Sequence, residues 1–428
     1  MKFILAGMSC NAFGTLFARL AAWRGLAQCF SGLLFLLAAA RIHASPSASF
    51  GEFDRKARAG DPLTVVFFGG SLTWGANASD PQTTSWRGLM MDYLRKKYPR
   101  TPFTFYDAAI GGTGSKLGMF RIDRDVFSRN PDLVFYDFTA NDDLEGSDVQ
   151  TLASYESLLR AMIGRGIPVE QEFFCFKYNK APASLKLPRY LAHKKLAEAY
   201  HTATGDALAS VSGQVLSGKA DPDVIWPADG AHPYDAGYRM FFEAVRDGLE
   251  KALAEGRVCT VPASPVFGLY EKTARAILVE SPLPKGWRRH TAYRTSLWFD
   301  GLSSRWIGDV AVCGGKDQPQ SADPLKIDFT GTFVGLFGET AGNGLSFKAK
   351  VDGVPLLYKA GPKEAPVEIW ANNLARFVQG WKGAHLFKWI ELSNDLAPGK
   401  HTLEIDPVFD PANPDGELHI ESVCSAGQ

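Results

Sequence analysis

Between about residue 60 and residue 255, short apolar runs alternate with segments whose apolar residues recur at helical spacing, and this alternation limits the fold more than any other feature. Val65, Val66, Phe67 and Phe68 are β-branched or aromatic, as a buried strand prefers, and they run into Gly69 and Gly70. "FTFYDAAIGG", "DLVFYDFTAND" and "IPVEQEFFCF" are further strand candidates. Trp86, Leu89, Met90, Tyr93 and Leu94 share one helical face behind Ser85 as a cap. Leu152, Tyr155, Leu159, Met162 and Ile163 share another that ends near Gly164, and Phe241, Ala244, Val245, Leu249 and Ala252 mark a last helix. Strands that alternate with helices pair in parallel, with helices on both faces. The expected fold is therefore α/β, a three-layer doubly wound parallel sheet. Ligands of such sheets bind just outside the carboxyl ends of the strands.

The texture changes after "AEGRVCTVPASP", which reads as a linker. Leu325, Ile327 and Phe329 alternate with polar residues, as do Leu345, Phe347, Ala349 and Val351 ahead of the turn Asp352-Gly353. "GKHTLEI" and "GELHIESV" repeat the pattern, and short alternating strands of this kind indicate a β-sandwich. At the other end, Lys2, Arg19 and Arg24 precede the apolar run Leu33 to Ala40 and then "RIHASPSA". That run is too short for a spanning helix and suits the core of an export signal, with cleavage after Ala44. The expected division is a signal peptide (1–44), an α/β domain (45–257) and a jelly-roll-like accessory sandwich (266–428). The protein is expected to be secreted or periplasmic, without stable membrane association after cleavage; an uncleaved N-terminal anchor is the alternative.

Lys and Arg, 46 in all, balance 46 Asp and Glu, so nothing points to nucleic acid, whose binders carry a basic excess. Cys10 and Cys29 fall within the signal. Cys175 in "FFCF" reads as a buried thiol, and a disulfide among Cys259, Cys313 and Cys424 is left open. No C-x-x-C, H-E-x-x-H or EF-hand spacing occurs, so neither a metal nor a cofactor is expected; the acidic "NDDLEGSD" reads as a solvated loop. Oligomeric state is not readable from the chain.

Ser71 stands at the end of the first strand, where both the phosphate-cradling G-x-x-x-x-G-K-[ST] loop and the G-x-S-x-G elbow are absent. On its own it fits a helix cap as well as a nucleophile. A nucleophilic serine needs a base, an orienting group and oxyanion donors. In "WPADGAHPYDAGY", Asp229 precedes His232 by three residues, just ahead of the last helix. A carboxylate at that spacing can fix one imidazole nitrogen and leave the other to take a proton, although in isolation such a pair is more often turn hydrogen bonding. The rival Glu198–His201 pair reads as a solvated helix face. "AAIGGTGS" places Gly111 and Gly112 after the second strand and "FTANDD" places Asn141 after the third, where each is an oxyanion-donor candidate or simply turn chemistry.

Together, "GGSLTWG", "AAIGGTGS", "FTAND" and "DGAH" resemble, in order, the serine, glycine, asparagine and D-x-x-H blocks of the SGNH (GDSL-type) hydrolase family, over about residues 65 to 232. The resemblance implies a flavodoxin-like hydrolase domain. It casts Ser71 as nucleophile and first oxyanion donor, Gly112 (or its neighbour Gly111) and Asn141 as further donors, His232 as base and Asp229 as its orienter. Three positions depart from the family pattern. Gly70 stands where the commonest form has Asp, Thr113 where many members have Asp, and Thr139 where Gly is usual two residues before Asn141. The blocks look like a subgroup found in bacterial polysaccharide-related esterases. The expected activity is hydrolysis of small acyl esters, above all O-acetyl groups on a polysaccharide or oligosaccharide, through an acyl-Ser71 intermediate. The expected partner is thus an acylated glycan, with Trp74 and Trp226 as candidate sugar contacts, although tryptophans so placed are more often core. Trp370, Trp381 and Trp389 of the sandwich are either core or sugar platforms. A lysophospholipase or thioesterase, and a catalytically inactive glycan-binding protein, are the alternatives.

Overall fold

The computed structural model describes residues 47–180, 182–292, 307–359, 364–371 and 385–427. The expected export signal, with Cys10 and Cys29, and Trp381 lie outside the described residues. β1 (Leu63–Gly69), β2 (Phe103–Ala109), β3 (Leu133–Asp137), β4 (Val169–Glu172) and β5 (Ala203–Gly205) pair in parallel in the order β2-β1-β3-β4-β5. β1 and β3 are near-continuous apolar runs because both of their faces are covered, as parallel sheets require. Phe67 stacks on Phe135 at 5.0 Å between ring centroids, and Trp86 meets both rings edge-on. Ser85 caps the helix Trp86–Lys97 by accepting from Gly88 N at 3.1 Å. Gly69 lies opposite both Ala109 and Asp137, so the carboxyl ends of β1, β2 and β3 are level. The strand order reverses between β1 and β3, and such switch points are where open α/β sheets bind ligands.

In the C-terminal part the paired strands among the described residues are antiparallel. One sheet joins β6 (Lys272–Ile277), β7 (Trp287–Thr291), β8 (Asp309–Gly314), β10 (Phe333–Ala341), β14 (His385–Ser393) and β16 (Glu417–Gly427). The other joins β9 (Leu325–Thr330), β11 (Ser346–Val351), β12 (Val354–Leu356), β13 (Ile369–Trp370) and β15 (Lys400–Val408). Leu336, Phe347, Leu403, Ile405 and Leu418 fill the space between them. Asp352 and Gly353 take positive φ angles of 52° and 80°, which gives the β11–β12 hairpin its tight turn. Trp370 belongs to this core: it stacks on Phe347 and donates from Nε1 to Leu356 O at 3.0 Å. Cys175, Cys259, Cys313 and Cys424 are all buried free thiols, so no disulfide joins the last three.

The sandwich shares a core with the α/β part. Phe333, Phe337, Cys424 and Ala426 on the outer face of the first sheet join the α/β cluster. Phe120, on the helix Ser115–Asp125, stacks on Phe333 at 5.7 Å and lies 5.5 Å from Trp389, which makes Trp389 an inter-part residue. The stretch read as a linker is fastened down: Cys259 N donates to Ala48 O at 2.8 Å, Thr260 N to Tyr200 O at 2.9 Å and Arg160 to Pro262 O at 2.8 Å, and the residues just after it are held as well. The buried Glu156 carboxylate accepts from the backbone N–H groups of Val266, Phe267 and Gly268 at 2.6, 2.7 and 3.3 Å. No described helix is long and apolar enough to cross a membrane.

Candidate active site

The chain leaves β1 through Gly69 and Gly70 into a single helical turn, Ser71–Trp74, which puts Ser71 at the sheet's carboxyl edge. Arg121 fixes the ground beneath it. This fully buried guanidinium donates to Ala108 O at 2.6 Å and Gly69 O at 3.0 Å, tying the ends of β2 and β1 together. Burial pushes its pKa down to about 10, against the pull of Asp125 at 3.1 Å. Beside it, the Thr73 hydroxyl donates to Asp137 Oδ2 at 2.6 Å, and burial raises that carboxyl to about 7.

Ser71 Oγ lies 2.8 Å from His232 Nε2, and His232 Nδ1 lies 3.1 Å from Asp229 Oδ2. The carboxylate can only accept, so Nδ1 carries the proton and Nε2 is left to accept from the serine. Asp229 Oδ1 also accepts from the N–H groups of Ala231 and His232, each at 2.7 Å. Partial burial works against its charged form, but these N–H groups and the imidazole outweigh it and hold the carboxyl below the ordinary range. The serine is buried, the imidazole half-buried and the carboxylate on the rim. Asp229 and His232 therefore do more than close a turn: the pair reaches a serine 161 positions away.

The glycine and asparagine blocks arrive at the same edge. Ile110 N donates to Gly69 O at 3.1 Å, which brings the loop after β2 alongside the serine turn. Gly112 has φ +70° with no atom within 4 Å of where a Cβ would stand, whereas Gly111 is buried and takes no positive φ. Among the described residues, neither the Gly112 N–H nor the Ser71 N–H has an acceptor. The departure at Thr113 is structural: its hydroxyl donates to Ile110 O at 2.8 Å and closes the loop. The Asn141 amide lies so close to Gly70 that an added Cβ would meet Oδ1 at 2.2 Å. Gly70, the second departure, is therefore the room in which Asn141 sits. Asp142 then accepts from Ser115 N at 2.7 Å and joins this loop to the helix behind the glycine loop.

The two tryptophans do not present open faces. Trp226 is only 1% exposed and packs edge-on against Phe241; Trp74 is 8% exposed and packs on Ala76 and Ala109. Both sit near Ser71 or His232 in sequence, but their rings point into the protein. A residue absent from the sequence reading takes part instead. Asn77 Nδ2 donates to Asp229 Oδ2 at 2.9 Å and His232 O at 3.2 Å, from a left-handed backbone with φ 68°. Its neighbour Ser79 donates through N and Oγ to Asp235, at the start of the helix Asp235–Glu255. The only sequence signal for Asn77 is the amide's tolerance of left-handed angles.

Residues 67–240 match the model of the GDSL-like Lipase/Acylhydrolase family. A search of curated proteins finds no match. Among solved structures, the chain is similar to a two-domain esterase (CEX) active on acetylated mannans, co-crystallized with mannopentaose: TM-score 0.70, 22% identity, 90% of this chain and 98% of that one. Another structure of an esterase so described matches with TM-score 0.66 and 22% identity over 88% and 94% of the two chains. A variant of an acetyl xylan esterase from Geobacillus stearothermophilus aligns at 17% identity with 44% of this chain and 94% of its own, TM-score 0.37.

Proposed function

Since this chain belongs, through residues 67–240, to the GDSL-like lipase/acylhydrolase family of carboxylic ester hydrolases, we propose that it removes small acyl groups, above all acetyl, from a polysaccharide or oligosaccharide. The observation that carries the reading is the hydrogen-bonded series Ser71 Oγ, His232, Asp229 at the sheet's carboxyl edge. His232 Nε2 takes the Ser71 proton as Oγ attacks the ester carbonyl. Charge gathers on the carbonyl oxygen, and the N–H groups of Ser71 and Gly112 and the Asn141 amide stabilise it; one such donor is typically worth about 2.7–4 kcal/mol. The imidazolium, held by Asp229, returns the proton to the leaving alcohol. Water then attacks the acyl carbonyl and gives a proton to Nε2, and the imidazolium passes that proton to Ser71 Oγ as the acid leaves.

The glycan substrate is supported by the two-part fold, which this chain shares over 90% of its length with an esterase active on acetylated mannans. It is supported too by the export signal read in residues 1–44, because polymeric glycans are met outside the cell. The test is a chain-length series of p-nitrophenyl esters, followed by acetate release from acetylated mannan and acetylated xylan, with Ser71→Ala as the blank. We expect the acetate ester to be cleaved best and Ser71→Ala to be inert on every substrate. A preference for octanoate or longer would replace the reading with a lysophospholipase-like one.

A further inference from the structure

The helix Pro188–Tyr200 carries two fully buried polar side chains one turn apart, Arg189 and His193, and neither has a part in the chemistry above. Both reach the same loop. His193 Nδ1 lies 3.0 Å from Thr139 Oγ1, and Arg189 Nε donates to Asp142 O at 3.0 Å. Thr139 and Asp142 flank Asn141, and Asp142 N closes the loop by donating to Phe138 O at 2.8 Å. The helix thus grips the asparagine loop on both sides of the amide that faces Gly70.

We propose that Arg189 and His193 are positioning residues that hold the Thr139–Asp142 loop so that the Asn141 amide is aimed at the oxyanion. This deepens the esterase reading above and rests on it.

Packing alone explains these residues poorly. The His193 ring lies on Tyr155 at 3.5 Å between centroids, a place an apolar ring would fill, yet its Nε2 is buried with no partner. An unpaired buried polar atom is a standing cost that packing alone would select against. Burial, with Arg189 nearby, holds its pKa well below the ordinary imidazole range, so the ring is neutral and Nδ1 can accept from the Thr139 hydroxyl. Arg189 is fixed in turn by Asp148 Oδ2 at 2.7 Å. The third departure from the family pattern now has a reason: glycine at position 139 could not make the bond that threonine makes. Catalytic donors must be held to within about 0.5 Å, which a surface loop does not achieve unaided.

The test uses the full chain and p-nitrophenyl acetate. Thr139→Val removes the hydroxyl and keeps the shape. We expect kcat to fall about 10- to 100-fold with KM unchanged, because the donor acts in the transition state, and Thr139→Ser to recover most of the loss. His193→Phe, which keeps the stack on Tyr155, should repeat the kcat loss with an unchanged melting temperature, and it serves if Thr139→Val does not fold. The decisive measurement is the double variant Thr139→Val/Asn141→Ala, which should be no slower than Asn141→Ala alone. If Thr139→Val slows the Asn141→Ala background by the same factor as wild type, or both loop variants keep wild-type kcat, the clamp is refuted. Wild-type kcat in Asn141→Ala alone would remove the oxyanion role of Asn141 and the clamp with it, while activity lost in Ser71→Ala would still stand for the esterase.

Discussion

Gly70→Ala adds one methyl group, and the structure says where it would go. Gly70 has φ −104° and ψ −154°, extended backbone open to any residue, so the substitution brings no backbone strain. The added Cβ would stand 2.2 Å from Asn141 Oδ1 and 2.9 Å from its Cγ. Carbon and oxygen settle at about 3.3 Å or more, so the amide must withdraw by about 1 Å. A 1 Å misplacement at a reacting centre can cost about 100-fold, and complete loss of one oxyanion donor about 100- to 1,000-fold. We therefore expect Gly70→Ala to lower kcat on p-nitrophenyl acetate by about 100-fold, leaving KM and the melting temperature near wild type. Asn141→Ala should lose as much, and the double variant should be no slower than Asn141→Ala. Gly70→Asp, which restores the residue common in the family, should be at least as slow, because this chain has packed Asn141 into the space. A Gly70→Ala enzyme within threefold of wild type, with Asn141→Ala still impaired, would refute the argument, as would a further loss in the double variant.

Asn77→Gly keeps the left-handed backbone and removes the amide from Asp229. Three donors remain on a carboxylate that water also reaches, so kcat/KM should fall only about 5- to 10-fold; a loss beyond 1,000-fold would mean that Asn77 does more than orient. Asp137 and Asp142 hold protons in the folded state up to about pH 7 but only to about 3.8 when unfolded, so the stability they lend is greatest below 3.8 and is lost as pH rises through 7. The melting temperature of Asp137→Asn minus that of wild type should thus increase from pH 5 to pH 8, and a flat difference would refute the buried proton. A chain ending at Arg257 would uncover Phe120, costing about 1.5–3 kcal/mol, and strip three donors from Glu156. It should melt below the full chain and lose activity even on the small ester; an equal melting temperature and kcat would restore the sandwich as an independent module.

The parts of this fold that were legible in the sequence share a physical cause. β1 and β3 are buried on both faces, so they had to be written as apolar runs, and the helix Trp86–Lys97 carries its own cap at Ser85. Asp229 and His232 were legible only together with the serine, glycine and asparagine blocks in order, because a carboxylate and an imidazole three residues apart in a Pro/Gly loop also serve turn hydrogen bonding. β5 was not, because Ala203–Gly205 is too short to show a pattern and is a strand only by pairing with β4. Trp74 and Trp226 could be read as core or as sugar contacts, because nearness in sequence to Ser71 and His232 carries no information about which way a ring points. The restraint on the stretch after the last helix was not legible either, because its partners are far along the chain: Cys259 on Ala48, Thr260 on Tyr200 and Pro262 on Arg160.

Asn77, Arg121, Arg189 and His193 form a class that no local pattern could reveal. Each works on a partner far along the chain: Asn77 on Asp229 across 152 positions, Arg121 on Gly69 across 52, His193 on Thr139 across 54. Their chemistry is ordinary, an amide, a guanidinium or an imidazole offered to a carbonyl, hydroxyl or carboxylate. What is particular is that the fold places three buried polar groups, Arg121, Arg189 and His193, on the ends of β1 and β2 and on the loop after β3, while the half-buried Asn77 holds the Asp229–His232 loop. The departures at Gly70, Thr113 and Thr139 follow the same logic. Gly70 makes room for Asn141, Thr113 closes the glycine loop on Ile110, and Thr139 gives His193 something to hold. Local deviations from the family pattern thus fall where this chain supports the loops that carry the proposed reacting groups. By that reasoning, restoring the family residue at any one of them should lower activity unless its structural partner is changed as well.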